Sequence, residues 1–384
     1  MIKAQSANLS PVAIWLSLMA MMVALIVIVG GATRLTDSGL SITEWDLILG
    51  ALPPMSDAAW EEVFDKYKQI PEYTRVNAGM SLGAFKEIYW WEWGHRNLGR
   101  FIGMAFLIPL IWFSARGIVV GGLRWRLWGL FALICFQGAL GWYMVASGLS
   151  ERVDVSQYRL ALHLGTAFIL FCLMVWQILA LVRPQGQRPC ARLGKFAILL
   201  FGVTFVQIIL GAFVAGQRAG STYNTWPLMD GRFVPDGYFS MPAQLSDAFE
   251  TIAAVQFNHR IGAYVLFALA IGFTFVAWRK ARLGYGVAIF AVVFVQALLG
   301  IWTLLAAVPL WLGLAHQLGA LGVLTVMIVT VYDLIPAPAA HRPIEDQSQE
   351  YRSAPPLRGW WRNLAVGSDF SLQAVKRWLY SPKG

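Results

Sequence analysis

The chain has 384 residues, of which 58% are hydrophobic and 13% charged, about half the charged share of a soluble domain. Thirty Lys and Arg against twenty-one Asp and Glu give a net charge of +9. These proportions exclude a water-soluble globular protein, a disordered chain and a disulfide-rich secreted module. They also speak against nucleic-acid binding, because the positive charges lie scattered between apolar runs, a pattern that reports membrane orientation.

A hydrocarbon core of about 30 Å takes about 20 apolar residues in helical form. Eight stretches qualify: 12–33, 93–115, 125–147, 160–182, 195–217, 252–278, 284–306 and 310–332. The first is too long for the apolar region of a signal peptide, and it ends in Gly30-Gly31-Ala32-Thr33-Arg34 without a cleavage site. A long loop, 35–92, follows, with ten carboxylates between Asp37 and Glu92 and an aromatic run Tyr89-Trp90-Trp91 at its end. The connector after the second span carries Arg116, Arg124 and Arg126. The one after the fourth carries Arg183, Arg188, Arg192 and Lys195, and the one after the sixth carries Arg279, Lys280 and Arg282. None of these three connectors contains Asp or Glu. The positive-inside rule therefore puts them in the cytoplasm with both termini, and puts loops 35–92 and 218–251 outside. The tail, 334–384, is polar. Its stretch from Trp360 to Tyr380 mixes Trp, Leu, Lys and Arg as a segment on the inner membrane surface does, and a disordered tail fits equally.

The chain resembles itself. Glu92-Trp93-Gly94-His95-Arg96 opens the second span, and Gln256-Phe257-Asn258-His259-Arg260 sits in the first turns of the sixth. Leu160-Ala161-Leu162-His163-Leu164-Gly165 opens the fourth, and Leu314-Ala315-His316-Gln317-Leu318-Gly319 lies early in the eighth. The third, fifth and seventh spans share Gln-x-x-Leu-Gly, at 137–141, 207–211 and 296–300. Matching spans run in the same membrane direction. The expected fold is thus an all-α integral membrane protein of eight transmembrane helices in two parallel-repeat four-helix bundles, 12–182 and 195–333. A cytoplasmic N-terminus (1–11), a linker (183–194) and the tail complete it.

There are five His, and four of them stand one per even-numbered span near its outer end: His95, His163, His259 and His316. A single intramembrane His is commonly a hydrogen-bonded structural residue, but ionisable groups at this depth must be paired. A His on each of two neighbouring helices, at one level, suits two axial bonds to a flat ring. That is bis-His haem in a four-helix bundle. Zinc fits less well, because it wants a third or fourth ligand and only Glu92 is at hand. The three Cys (135, 172 and 190) form no CxxC pair, so neither a Cys-rich zinc site nor a disulfide framework is indicated. Arg96, Arg159 and Arg260 lie near the ligands, where Arg matches a propionate carboxylate or simply snorkels. Glu92 stands three residues before His95, where Gln256 stands before His259. A carboxylate can exchange a proton or stabilise positive charge, and an amide cannot. The first half reads as the site of chemistry and the second as the holder of a permanent cofactor.

These phrases resemble the haem A synthase family over residues about 12–333. The resemblance rests on Gly30-Gly31-Ala32-Thr33-Arg34-Leu35-Thr36 with Ser38-Gly39-Leu40-Ser41, and on Phe85 to Arg96. Tyr223-Asn224-Thr225-Trp226-Pro227-Leu228-Met229 and the run Gln256 to Arg260 carry it in the second half. It implies oxidation of the C8 methyl of haem O to the formyl group of haem A, by successive hydroxylations. It further implies that His95 and His163 ligate the substrate haem iron, that Glu92 assists catalysis, and that His259 and His316 ligate a haem B cofactor. The implied partners are membrane lipid, haem O synthase, an electron donor or acceptor, cytochrome oxidase assembly factors and further copies of the chain. One branch of the family carries paired cysteines in the outer loops. Residues 35–92 and 218–251 contain none, so the resemblance is to the proteobacterial and mitochondrial branch. A bacterial inner-membrane location is expected, with the haem sites toward the periplasm. Two other readings compete: a quinol-linked di-haem b-type electron carrier, and a non-enzymatic haem-handling protein. The electron carrier leaves the Glu92/Gln256 difference without a role, and parallel repeats alone would permit the haem-handling protein.

Overall fold

The computed structural model describes residues 11–46, 49–150, 152–183, 185–238 and 247–336. The expected inner-surface stretch Trp360–Tyr380, and His341, lie outside the described residues. The protein is an all-α integral membrane protein. Eight of its helices are long and apolar enough to cross a membrane: α1 (Pro11–Leu35), α4 (Leu82–Ala115), α5 (Gly121–Val145), α6 (Gln157–Val182), α7 (Ala191–Gly216), α9 (Ile252–Arg279), α10 (Leu283–Leu305) and α11 (Leu310–Leu334). Three short helices lie between spans: α2 (Asp57–Tyr67), α3 (Pro71–Arg75) and α8 (Asp247–Glu250).

Helix contacts close into two rings. In one, α1 packs on α4 and α6, and α5 joins α4 to α6; in the other, α7 packs on α9 and α11, and α10 joins α9 to α11. The rings meet where α1 and α6 touch α11 and α6 touches α7. Burial follows from this arrangement. In the apolar windows of α1, α6 and α11, 44%, 39% and 39% of residues are buried, against 17% in α5 and α10. The peripheral helices instead turn apolar side chains such as Trp125, Phe136, Val295 and Leu298 outward, as lipid contact permits. One core cluster fills the first ring around Leu16, Phe106, Leu127 and Met174. A second fills the other around Leu200, Phe273, Ile289 and Met327.

The second span begins at Leu82, well before the expected 93. Ser81 caps it, its Oγ accepting from the Ala84 N–H at 3.2 Å. The added turns leave the apolar core but are not left unsupported. Phe85 and Tyr89 pack into an outer cap with Trp60, Phe64 and Tyr67 of α2. The loop before α4 is therefore a small folded unit, and Tyr89, Trp90, Trp91 and Glu92 are helical. Polar residues between 82 and 92 hide this extension from a hydropathy reading.

Two ionic clusters tie the rings together. At one end of the bundles, Asp154 meets Arg34 at 2.8 Å and Arg218 at 2.8 Å, and Arg218 also meets Asp37 at 2.9 Å. Arg218 takes a left-handed backbone (φ 53°) just past the end of α7. On the other side, Asp333 pairs with Arg183 at 3.0 Å and accepts from Tyr285. There the linker's main chain also bonds to the end of α11, from Gly186, Arg188 and Cys190 to the carbonyls of Tyr332, Asp333 and Leu334.

Candidate haem sites

Each of the four expected histidines sits on a spanning helix: His95 on α4, His163 on α6, His259 on α9 and His316 on α11. The structure brings them together in the expected pairs. His95 and His163 lie within electrostatic range of each other, as do His259 and His316. One expectation is corrected. The paired helices are not packed neighbours, because α4 and α6 stand diagonally in one ring and α9 and α11 diagonally in the other. Ring closure explains this: the helix between two even-numbered spans takes the adjacent position. A diagonal pair faces across the bundle axis, which suits a flat group between two ligands better than side-by-side helices do.

Every histidine ring lies against a glycine of the preceding span. A Cβ built on Gly30 would stand 3.0 Å from His95 Nε2, and one on Gly141 would stand 3.4 Å from His163 Cε1. On Gly211 it would stand 3.1 Å from His259 Cε1, and on Gly300 it would stand 2.8 Å from His316 Cε1. The four histidines are half-buried.

Beside each pair, a loop is clamped to one of the histidine-bearing helices. Glu92 Oε2 accepts from Ser41 Oγ at 2.7 Å and from the Ile42 N–H at 2.8 Å. Glu92 Oε1 lies 2.7 Å from Arg96 Nη2 as an ion pair, without the alignment of a hydrogen bond. Arg96 donates in turn to the carbonyls of Ile42 (2.7 Å) and Glu44 (2.9 Å). The second half repeats the device with other polarity. Gln256 Nε2 donates to the carbonyls of Ala219 and Thr222, and Gln256 Oε1 accepts from Arg260 Nη2 at 3.1 Å. Arg260 also donates to Tyr223 O (2.7 Å) and Thr225 O (2.9 Å). Helical spacing of four sets both pairs on one face. Glu92 and Gln256 are each 2% exposed.

Arg96 and Arg260, expected at propionates, thus anchor loops first. Arg260 Nε remains buried and without a hydrogen-bond partner among the described residues. Arg159 donates to Tyr143 O at 2.7 Å and lies over the Tyr143 ring at 3.8 Å. Ser41 escaped the sequence reading as a Glu92 partner. It stands in a polar loop phrase whose folding back onto α4 no periodicity announces.

The donor set fits haem. Among the described residues no group of three or more His, Cys, Asp or Glu side chains could hold a metal. Two paired imidazoles without a third protein ligand suit an iron that brings further ligands of its own. The glycines let the rings sit close to the neighbouring backbone, and Arg260 Nε is an unanswered donor beside one pair.

The model of the cytochrome oxidase assembly protein family matches residues 13–328, which is most of the chain. This chain belongs to that family. Among its relatives, a heme A synthase of Bradyrhizobium diazoefficiens is 53% identical over 322 residues, covering 82% of this chain and 89% of the relative. A heme A synthase of Rhodopseudomonas palustris is 48% identical over 349 residues, covering 86% and 96%. One of Parvibaculum lavamentivorans is 48% identical over 333 residues, covering 87% and 97%. The matched region of the family contains all four histidines and both loop clamps.

Proposed function

We propose that this chain is a haem A synthase, a membrane oxidoreductase that converts the C8 methyl of haem O to the formyl of haem A. Similarity to relatives of that name over most of the chain supports the activity. The observation that carries the assignment of roles is a difference in charge between the two sites: Glu92 stands in the first where Gln256 stands in the second. We assign the substrate haem to His95 and His163, within residues 12–182. The resident haem B goes to His259 and His316, within 195–333. When bound, that haem supplies one-electron transfer. Oxidising a methyl group removes electrons and protons, and where electrons leave ahead of protons, positive charge develops on the substrate. The Glu92 carboxylate, held by Ser41, Ile42 and Arg96, is a positioned anion that stabilises positive charge there. Arg260 Nε, Arg159 and Arg96 are the donors available to propionates. The basic connectors, by the positive-inside rule, support a position for both sites toward the periplasmic side of a bacterial plasma membrane. Haem O synthase, an electron donor or acceptor, assembly factors and further copies are the partners this chemistry would use.

The competing reading is a di-haem electron carrier. Haem extraction and chromatography from the purified full-length chain separates the two. Haem B together with haem O or haem A supports the synthase, and haem B alone overturns it.

A further inference from the structure

The Gln-x-x-Leu-Gly phrase of three spans has a structural meaning that the loop clamps and ligands leave unused. Its Gly receives a histidine ring, and its Gln, one turn earlier, reaches the same histidine. Gln137 Nε2 donates to the His163 carbonyl at 3.1 Å, Gln207 Nε2 to the His259 carbonyl at 2.8 Å, and Gln296 Nε2 to the His316 carbonyl at 2.8 Å. In the second half the amide also touches the ring, 3.0 Å from His259 Nδ1 and 3.2 Å from His316 Nδ1. The fit is close. A Cβ at Gly262 or Gly319 would come within 2.1 Å of the glutamine Oε1, so small residues on the ligand helices make room for the amide.

The first half departs from this. His163 Nδ1 is buried with no hydrogen-bond partner, although Gln137 holds the main chain. For His95 even that is lost. The residue one turn before Gly30 is Ile26, whose Cδ1 would stand 3.5 Å from a Cβ built on Gly99, as the glutamine Oε1 atoms would stand beside one built on Gly262 or Gly319 in the other half. Among the described residues no hydrogen bond reaches the His95 ring. The series is graded: His259 and His316 are held at ring and main chain, His163 at main chain only, and His95 at neither.

A ligating imidazole that presents Nε2 to a metal carries its proton on Nδ1 and needs a partner there to fix its orientation. Gln207 and Gln296 are in reach of that nitrogen. Turning the terminal amide over brings Oε1 to Nδ1–H, in exchange for the bond to the main-chain carbonyl. We propose that Gln207 and Gln296 are positioning residues that make the second-half haem permanent. The apolar Ile26 in the corresponding place makes His95 the ligand that lets the first-half haem leave. This rests on the two-site haem assignment above and adds to it a division between retention and release. An enzyme whose product is itself a haem needs one site that exchanges and one that does not.

The test uses the full-length chain purified in detergent, with apomyoglobin in excess as haem acceptor. Transfer is followed by absorbance, and the haem remaining is identified by extraction. In the unsubstituted chain haem O or haem A leaves first. Ile26→Gln slows that loss by about 10-fold or more and leaves haem B loss unchanged. Gln207→Leu and Gln296→Leu speed haem B loss by about 10- to 100-fold and leave the first-half rate unchanged. Gln207→Glu, which keeps an acceptor for Nδ1–H, retains haem B and lowers its midpoint potential. That potential shift is a readout a merely packing role would not move, and it stands if the Leu variants fail to fold. Bis-imidazole haems present in both halves, with loss rates and potential indifferent to all four substitutions, overturn the cradle and leave the synthase reading intact. A chain that carries haem B alone overturns the synthase reading itself.

Discussion

Gly300→Ala is the sharpest test of the ring-on-glycine packing. The new methyl carbon would stand 2.8 Å from His316 Cε1, 3.4 Å from Nδ1 and 3.5 Å from Nε2. Carbon atoms settle at about 3.5–4.0 Å, so the imidazole or helix α10 must retreat by about 0.7 Å or more. Overpacking of this kind costs about 1–3 kcal/mol, and the better helix propensity of Ala offsets about 1 kcal/mol of it. Net destabilisation is then about 0–2 kcal/mol, too little to unfold the chain. Ligand geometry is less forgiving, because a site tolerates only about 0.5 Å of displacement. Gly141→Ala is the matched control: its Cβ meets His163 Cε1 at 3.4 Å, an ordinary contact. The assay is the low-spin haem absorption spectrum with extracted haem content, alongside a detergent unfolding midpoint. Gly300→Ala should lose haem B while keeping most of its stability, and Gly141→Ala should keep its haem. Equal haem retention in the two variants would refute the close-approach argument.

Three other predictions concern the clamps and the outer cap. Glu92→Ala should abolish haem A formation in cells. It should also destabilise the first half by about 3–5 kcal/mol, the usual cost of breaking a buried ion pair, measured as a lowered unfolding midpoint. Unchanged haem A output would remove Glu92 from the mechanism. Asp154→Asn, which weakens the pairs to both Arg34 and Arg218, should cost about 1 kcal/mol. Amide hydrogen exchange should rise at the start of the 219–238 loop, and no change there would detach Asp154 from the seam. The third concerns Glu72, whose carboxyl burial pushes up to about 8, against a smaller opposing pull from the Tyr67 hydroxyl bond. The folded cap then binds a proton that the unfolded chain releases above about pH 4.5. Cap stability should fall as pH rises from about 4.5 to about 8 and level off above. Glu72→Gln should flatten that profile, read as hydrogen exchange of α2 between pH 5 and 9.

The spans were legible because lipid imposes a length and a composition on any helix that crosses it. Seven of the eight lie within a few residues of expectation, and the one early start, at Leu82, falls where lipid no longer dictates composition. The histidines were legible for the same reason: a costly side chain recurring at matched positions stands out against an apolar background. The Gln-x-x-Leu-Gly phrase was legible as a repeat, but not as a cradle. Its spacing puts Gln and Gly on one face, yet nothing in a single helix says which neighbour that face meets.

Sequence alone therefore determined the all-α membrane class, the eight crossings, the four candidate ligands and the Glu92/Gln256 difference. Each is a matter of what one segment contains. The tertiary structure decided what stands opposite what: diagonal rather than adjacent histidines, Ser41 and Arg96 on Glu92, glycines under the rings, and Ile26 where three other spans place Gln-bearing faces. Those pairings depend on helix rotation and ring closure. Both are set by the sum of many small packing contacts between distant segments, which no local pattern encodes.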